Sequence, residues 1–280
     1  MKEKTWTMEE VLAMAGSYQS ASVLTAAVAL DLFTALAEKP AAAESLAAGL
    51  GTDTRATAIL LDALTAMGFL KKQDNTYAVV PSAAKLLAGA GSALAMVRHQ
   101  ANCLERWARL AEVVKNGRPA EGIEGILGNA DNLAAFIGAM HDISEPVAAK
   151  LIAELGPPDF SRLLDVGGAS GTWTIAFLEA APKAAATLFD LPDVIPLAKK
   201  RLADAGMAER VRLVAGDYNT DALPRGADLA WVSAIVHQNS RPQNRALFAK
   251  VLAALGNGGC TMIRDGRDAH PAARRGHVRH

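Results

Sequence analysis

Polar side chains that can bind a ligand or move a proton follow several short apolar runs in the second half of the chain. The run 163–166 contains Asp165 and leads into the glycine-rich turn 167–172. The residues that close the later runs are Asp190, Asp217, His237 and Asp265. A glycine turn lets the backbone approach a ligand and directs helix N–H groups at an anion. A carboxylate can bind hydroxyl groups, and a histidine can accept a proton near neutral pH.

The apolar runs before these residues are predicted strands of one sheet. They are 163–166, 186–189, 211–214, 227–232 and 260–263. Because helical segments separate them, we expect an α/β Rossmann-like parallel sheet in which these strands alternate with helices. Ligands of such sheets bind at the carboxyl ends of the strands, so the polar residues are expected to meet in one cleft.

The first half of the chain is predicted to be mainly α-helical, because Leu, Ala and Met recur at three- and four-residue spacing. Two short helices, 42–48 and 54–67, are split by a glycine-containing segment in which Asp53 is placed to cap the second. A hairpin with its turn at Asp74 and Asn75 follows. This order of elements is that of a winged helix.

A winged helix raises the question of DNA binding. The second helix offers Arg55 and otherwise apolar residues on more than one face, which favours a helix packed on both sides. Lys plus Arg and Asp plus Glu are equal at 29 each, so no overall field attracts a polyanion or an anionic membrane. Dimerisation is therefore the favoured role, with no nucleic-acid partner.

The cellular setting is predicted from cysteines and the N-terminus. Cys103 and Cys260 are the only cysteines and lie far apart, which excludes a disulfide framework and a Cys-built zinc site. The first ten residues lack the pattern of a signal peptide. The apolar stretch Ala21–Ala37 contains Asp31 and is shorter than a bilayer span, so it is predicted to be a buried helix. A cytoplasmic protein without membrane contact or a metal site is expected.

The glycine turn distinguishes between two ribose-containing cofactors. Dinucleotide sites have G-x-G-x-x-G, whereas this chain has D-x-G-x-A-x-G over residues 165–171. That pattern is a variant of the turn of class I methyltransferases. Together with FDLPDVIPLAKKRL, RVRLVAGDYNTD and SAIVHQNS, the segment LLDVGGASGT closely resembles the plant-type and bacterial S-adenosylmethionine-dependent O-methyltransferases, including acetylserotonin, caffeate and polyketide O-methyltransferases. The resemblance runs from about residue 10 to 265, and it makes the winged helix a homodimerisation domain.

The resemblance implies a set of residues that bind S-adenosylmethionine. Its glycine turn would contact the methionyl part, Asp190 the ribose hydroxyls, and Asp217 with Tyr218 the adenine. Ser233 lies where many members have a cofactor-contacting lysine. The full set is Asp165, Gly167, Gly168, Gly171, Asp190, Leu191, Asp217, Tyr218 and Ser233.

The resemblance also implies the catalytic residues. His237 matches the general base of the family, in a segment that is often HDW and here reads HQN. Asp265 falls where plant members place a glutamate beside that histidine. A phenol needs its proton removed while the two reactants are aligned, and a neutral histidine can do this. The alternative for both His237 and Asp217 is a structural role. His237 would only make hydrogen bonds that support the fold, and Asp217 would cap a turn.

An acceptor is expected to be a small aromatic or polyketide-type molecule. Residues that could line its pocket are Trp107, Phe136, Met140 and His141, although apolar residues at helical spacing are usually core. The predicted domains are a winged-helix dimerisation domain at 1–100, linking helices at 101–158, a cofactor-binding domain at 159–265 and a disordered basic tail at 266–280.

The chain departs from the family after Asp265. Members usually continue for a further helix and two strands, whereas residues 266–280 read GRDAHPAARRGHVRH. The sequence therefore predicts an incomplete sheet, with a truncated or frameshifted end. Three functions stay open: an active O-methyltransferase, a catalytically impaired dimerising protein that keeps cofactor binding, and, disfavoured by the turn, an NAD-dependent oxidoreductase. Whether oxygen, nitrogen or carbon is methylated also stays open.

Overall fold

A computed structural model describes residues 4–89, 93–122, 125–156 and 159–265. The chain forms two compact units, Met1–Ile143 and Ser144–His280. The predicted basic tail at 266–280 lies outside the described residues. The four predicted domain segments stay a prediction.

The first unit is mainly α-helical, as the residue spacing predicts. Its helices and strands, in chain order, are α1 Met8–Gly16, α2 Tyr18–Ala29, α3 Leu32–Glu38, β1 Ala41–Ala42, α4 Ala43–Leu50, α5 Thr54–Ala66, β2 Leu70–Gln73, β3 Thr76–Val79, α6 Pro81–Leu87, α7 Leu94–Trp107 and α8 Leu110–Asn116. The long helix α9, Ala130–Leu155, begins in this unit and continues into the second.

The winged helix is present with the local chemistry predicted for it. The Asp53 carboxylate accepts a hydrogen bond from the N–H of Ala56 at 2.7 Å and caps α5. Asp74 and Asn75 both have positive φ, at 47° and 66°, in the turn between β2 and β3. The two-residue strand β1 adds a third, antiparallel member to the hairpin sheet, in the order β1-β3-β2.

The apolar stretch 21–37 is not the single buried helix that the sequence predicts. Asp31 adopts a left-handed conformation with φ of 52° and separates α2 from α3. An Asp tolerates this conformation better than most residues. Its carboxylate accepts a hydrogen bond from Arg98 Nη2 at 2.9 Å.

Helix α1 presents its apolar side chains outward. A capping box at Thr7 and Glu10 starts the helix, yet none of its residues is buried. Exposed large apolar residues in and beside it are Trp6, Met8, Val11, Leu12, Met14 and Tyr18. Residues 8–29 are long and apolar enough to cross a membrane by length and composition alone, which is weak evidence for a span. Outward apolar faces of this size usually mark contact with another surface.

The second unit alternates strands with helices. Its elements are β4 Arg162–Val166, α10 Thr172–Ala180, β5 Ala185–Asp190, α11 Ile195–Asp204, a 3₁₀ turn Ala208–Arg210, β6 Val211–Ala215, β7 Ala227–Ser233, a 3₁₀ turn Val236–Gln238, α12 Arg241–Ala254 and β8 Leu255–Arg264. The strands pair in the order β6-β5-β4-β7-β8, and every pair is parallel.

The described residues of this unit form five strands, one for each of the five predicted runs. All the predicted runs pair in the sheet, including the last one, which extends from Leu255 to Arg264 with an irregularity where Ala227 and Leu229 of β7 face it. Strand order reverses beside β4, where α/β sheets bind their ligands.

The sheet has an apolar core on each face. On one face, Trp231 of β7 packs against Trp173 and Phe177 of α10, with ring centroids 5.1 Å apart in both pairs. On the other, Leu164 and Val232 belong to the cluster that includes α12. Alternate residues of β7 thus enter opposite cores, as the two-residue period of a strand requires.

One acid lies inside this core. Asp165 of β4 is 2% exposed and accepts a hydrogen bond from Thr174 Oγ1 at 2.6 Å. Burial raises its pKa to about 7, and the nearby charge of Asp190 acts in the same direction. The folded chain therefore holds a proton on Asp165 at pH values where the unfolded chain has lost it.

We expect Asp165→Asn to change how stability depends on pH. The contribution of Asp165 to the free energy of unfolding of the parent chain falls as pH rises from about 4 to about 7, because the folded state loses the proton later. The asparagine cannot titrate, so this part of the fall disappears while the Thr174 hydrogen bond keeps an acceptor. Urea denaturation of both proteins between pH 4 and 8 measures the effect, and parallel curves would contradict it.

Candidate functional site

The glycine turn between β4 and α10 is built from backbone hydrogen bonds. Gly167 has φ of 68° and donates its N–H to the carbonyl of Phe189 at 2.8 Å. Gly171 has φ of 82° and donates to the carbonyl of Gly168 at 2.8 Å. Both conformations favour glycine, and Gly171 directly precedes α10. The turn therefore brings backbone N–H groups and the start of a helix to the carboxyl edge of the sheet.

Gly168 is required for a different reason. A Cβ atom there would lie 2.6 Å from Leu188 Cγ and 3.0 Å from Asp165 Cγ. Its φ is not in the left-handed region, so space rather than conformation selects glycine. The turn consequently packs directly on β5 and on the buried acid beneath it.

Asp190 joins the ends of β4 and β5. Its Oδ2 accepts a hydrogen bond from the N–H of Ala169, and its Oδ1 accepts one from the N–H of Leu191, both at 2.7 Å. Burial raises the pKa of this half-buried carboxyl, and the two N–H donors lower it. Each oxygen keeps a further lone pair, so the carboxylate can also accept hydrogen bonds from ligand hydroxyls.

The loop after β6 contains two further residues that the sequence predicts to bind the cofactor. Asp217 Oδ1 accepts the N–H of Asn219 at 2.7 Å, so this acid does cap a turn. The hydroxyl of Tyr218 accepts a hydrogen bond from Gln238 Nε2 at 3.1 Å, and burial raises the pKa of this tyrosine. The Tyr218 contact links this loop to the segment that carries His237.

His237 and Asp265 form a direct pair. Nδ1 of His237 lies 2.5 Å from Oδ1 of Asp265, and the backbone N–H of His237 donates to Oδ2 at 2.8 Å. The pairing of Ser233 with Arg264 in parallel strands explains this proximity, because the residues after β7 and β8 leave the sheet together. The histidine side chain is 54% exposed and the aspartate 17%. When Asp265 is ionised it can only accept, so in a neutral imidazole Nδ1 holds the ring proton and Nε2 keeps a lone pair.

Ser233 has a partner that sequence reasoning did not name. Arg264 Nη1 donates to Ser233 Oγ at 3.3 Å, and the guanidinium lies 4.8 Å from the ring centroid of Trp173. Arg264 thereby spans the ends of β7, β8 and α10. Its position directly before Asp265 is the signal that could have singled it out.

The structure thus brings the cofactor and catalytic candidates together at the carboxyl edge of one sheet. The candidates for acceptor binding lie in the first unit. Trp107 ends α7 and is 68% exposed, whereas Phe136, Met140 and His141 are half-buried on α9. In the described ranges, no group of three or more His, Cys, Asp or Glu side chains is arranged to hold a metal ion.

Each half of the chain matches a known domain family. Residues 107–272 match the O-methyltransferase domain family, and residues 12–89 match the O-methyltransferase dimerisation domain. The tetracenomycin polyketide synthesis 8-O-methyl transferase TcmO of Streptomyces glaucescens is 33% identical over 270 residues, which cover 91% of this chain and 78% of that protein. The 3-hydroxy-5-methyl-1-naphthoate 3-O-methyltransferase of Streptomyces sahachiroi is 34% identical over 250 residues, which cover 86% and 72%.

Solved structures show the same fold. PigF with SAH superposes with a TM-score of 0.81 at 25% identity and covers 92% of this chain and 81% of that chain. Human N-acetylserotonin methyltransferase in complex with SAM gives 0.75 at 22% identity, covering 94% and 81%. With both domains matched and the predicted fold confirmed, the chain belongs to the S-adenosylmethionine-dependent O-methyltransferase family.

Proposed function

We propose that this protein methylates a hydroxyl group of a small aromatic or polyketide-type acceptor, with His237 as the general base. The observation that carries this proposal is the His237–Asp265 pair at the carboxyl ends of β7 and β8. The pair orients one ring nitrogen and leaves the other for a proton. Relatives that act on a polyketide and on a hydroxynaphthoate support the acceptor class.

The residues at the sheet edge are suited to hold S-adenosylmethionine. Gly167, Gly168 and Gly171 form a tight turn whose backbone conformation or packing favours glycine, and Asp190 offers carboxylate lone pairs beside it. Asp217, Tyr218, Leu191 and Ser233 complete the proposed contacts. Asp165 is inside the core, so its proposed part is to support the turn through Thr174 and Gly168. When bound, the cofactor supplies a methyl group on a sulfonium.

The chain's own residues would then handle the proton of the acceptor. Asp265 holds Nδ1–H of His237, and Nε2 takes the hydroxyl proton as the oxygen becomes nucleophilic. The charge that develops on the imidazole faces the Asp265 carboxylate, which stabilises it. The half-exposed ring can return its proton to solvent afterwards. Methyl transfer to oxygen is favoured over nitrogen or carbon because a paired histidine base suits a hydroxyl.

The acceptor would contact the linking helices. Trp107 on α7 and Phe136, Met140 and His141 on α9 are the proposed contacts, within the segment 101–158. Trp107 has a largely exposed indole that can stack on an aromatic ring.

Homodimerisation is proposed to use α1. The dimerisation-family match begins at residue 12, within this helix, and its exposed apolar side chains supply a face that a second copy would cover. A chain that dimerises through 1–100 keeps that surface away from water.

We expect Asp190→Ala to weaken binding of S-adenosylhomocysteine by about 1.5–3 kcal/mol, the scale of hydrogen bonds to a charged group. The variant also loses the acceptor for the Ala169 and Leu191 N–H groups, so Asp190→Asn, which keeps one carbonyl oxygen, is the milder comparison. Calorimetry with S-adenosylhomocysteine and with NAD measures both. Tight NAD binding without binding of the methyl-donor product would refute the cofactor site.

We expect His237→Ala to lower turnover by roughly 10²–10⁴-fold while affinity for S-adenosylhomocysteine stays nearly constant. Asp265→Asn should have a smaller effect, because the base remains but its orientation is less fixed. Arg245→Gln, at an exposed position on α12, is the control and should retain turnover. Mass spectrometry of products from pooled phenolic acceptors gives the rates. Undiminished turnover of His237→Ala would show that the histidine is structural.

We expect Leu12→Glu to convert a dimer into a monomer at micromolar concentration, because a charge would be buried in the apolar contact. Leu12 is 64% exposed in the single chain. Leu252→Glu on α12, where the leucine is 74% exposed, is a matched control that should stay dimeric. Light scattering reports the mass, and a monomeric parent protein would contradict the proposal.

A further inference from the structure

Arg264 brings a permanent positive charge to the carboxyl edge of the sheet. It is the last residue of β8, and its guanidinium lies 4.8 Å from the ring centroid of Trp173, in the first turn of α10. Its Nη1 donates to the hydroxyl of Ser233, the last residue of β7, at 3.3 Å. The charge therefore lies beside the start of the helix that follows the glycine turn.

No acid of the described residues neutralises this charge in an ion pair. The next residue along the chain, Asp265, directs one carboxylate oxygen at the ring and the other at the backbone N–H of His237. The Arg264 side chain is half-buried, so water reaches only part of it. A cation in this position is available to an anionic group of a ligand that binds at the same edge.

The guanidinium also has a free edge that fits a carboxylate. Nε and Nη2 have no hydrogen-bond partner in the part of the chain that the structure describes, and neither atom is enclosed by protein. Nε–H and Nη2–H lie on the same side of a guanidinium and donate in parallel, which matches the two oxygens of a carboxylate. Ser233 and the Trp173 ring hold the group at other points and leave this edge open.

The chemistry of S-adenosylmethionine determines which of its groups can meet this edge. Its amino-acid end carries a carboxylate, which is the only anionic group of the molecule, and its sulfonium and ammonium groups are cations. Contact with either cation would be repulsive, so the carboxylate is the group that Arg264 can bind. The N-terminal turn of α10 carries a partial positive charge that favours an anion at the same place.

We propose that Arg264 binds the carboxylate of S-adenosylmethionine through Nε and Nη2, and that Ser233, while accepting from Nη1, donates its own hydroxyl hydrogen to the same group. The inference rests on the proposed cofactor contacts of the glycine turn and Ser233. It assigns a role to a residue that no motif of the sequence singled out. It also accounts for a serine at position 233, because the neighbouring strand supplies the cation.

The test compares S-adenosylhomocysteine with its decarboxylated analogue, S-adenosyl-3-thiopropylamine, by calorimetry on the full chain. We expect the parent to bind S-adenosylhomocysteine at least about tenfold more tightly, the scale of a charge-assisted pair. Arg264→Met keeps an unbranched apolar chain against Trp173 and removes the charge. It should weaken S-adenosylhomocysteine by about tenfold or more and weaken the analogue by less than about twofold.

Further variants separate binding from folding. Ser233→Lys, added to Arg264→Met, returns a cation next to the lost one and should recover most of the lost affinity for S-adenosylhomocysteine, but not for the analogue. Arg245→Met, at an exposed position on α12, is the matched control and should change neither affinity. Without ligand, Arg264→Met should melt within about 3 °C of the parent, as a substitution outside the core does.

Other results would overturn the inference. Equal binding of the two ligands by the parent would exclude a carboxylate contact. Equal weakening of both ligands in Arg264→Met, with a large fall in melting temperature, would show a structural arginine. Continued loss of affinity in the variant with Ser233→Lys would contradict a role for the charge.

The proposed function can fail separately from this inference. Equal binding of both ligands, together with turnover that depends on His237, overturns the role of Arg264 and leaves the proposed function standing. Discrimination that depends on Arg264, in a protein whose His237→Ala variant keeps full turnover, supports the carboxylate contact and contradicts the proposed general base.

Discussion

The Asp190 carboxylate accepts backbone hydrogen bonds from Ala169 and Leu191 and so holds together the segments that follow two neighbouring strands. The glycine turn keeps its shape because this acid and the Phe189 carbonyl fix it to the end of β5. A proposed ligand contact is thus also the structural support of the site. Binding and local folding share one carboxylate, which explains why a single acid at this strand end constrains so much of the surrounding backbone.

Asp165 beneath the glycine turn and Asp190 beside it differ in burial and in the groups that donate hydrogen bonds to them. Asp165 is in the core with one side-chain donor, whereas Asp190 is half-buried with two backbone donors. Complete burial favours the protonated form of Asp165. The D-x-G pattern therefore contains a residue that supports the turn from within, and the carboxylate that faces the cleft comes from the next strand.

The sequence was sufficient to predict the winged helix and the parallel sheet because both depend on local periods and turn residues. Asp53 and the Asp74–Asn75 pair carry their own structural signals, and these are confirmed. The break at Asp31 was missed because the apolar spacing continues across it, whereas its left-handed backbone conformation is visible only in the structure. The proximity of His237 to Asp265 came from the family resemblance, and its physical cause is the register of β7 with β8.

Gly168 has a consequence for how substitutions in this protein are to be interpreted. Even an alanine methyl group would collide with Leu188 and Asp165, so the position rejects every side chain on steric grounds. A mutational scan would find Gly168 as intolerant to substitution as a residue that contacts a ligand, although the cause is packing. Loss of activity in the glycine turn therefore cannot by itself map a binding surface.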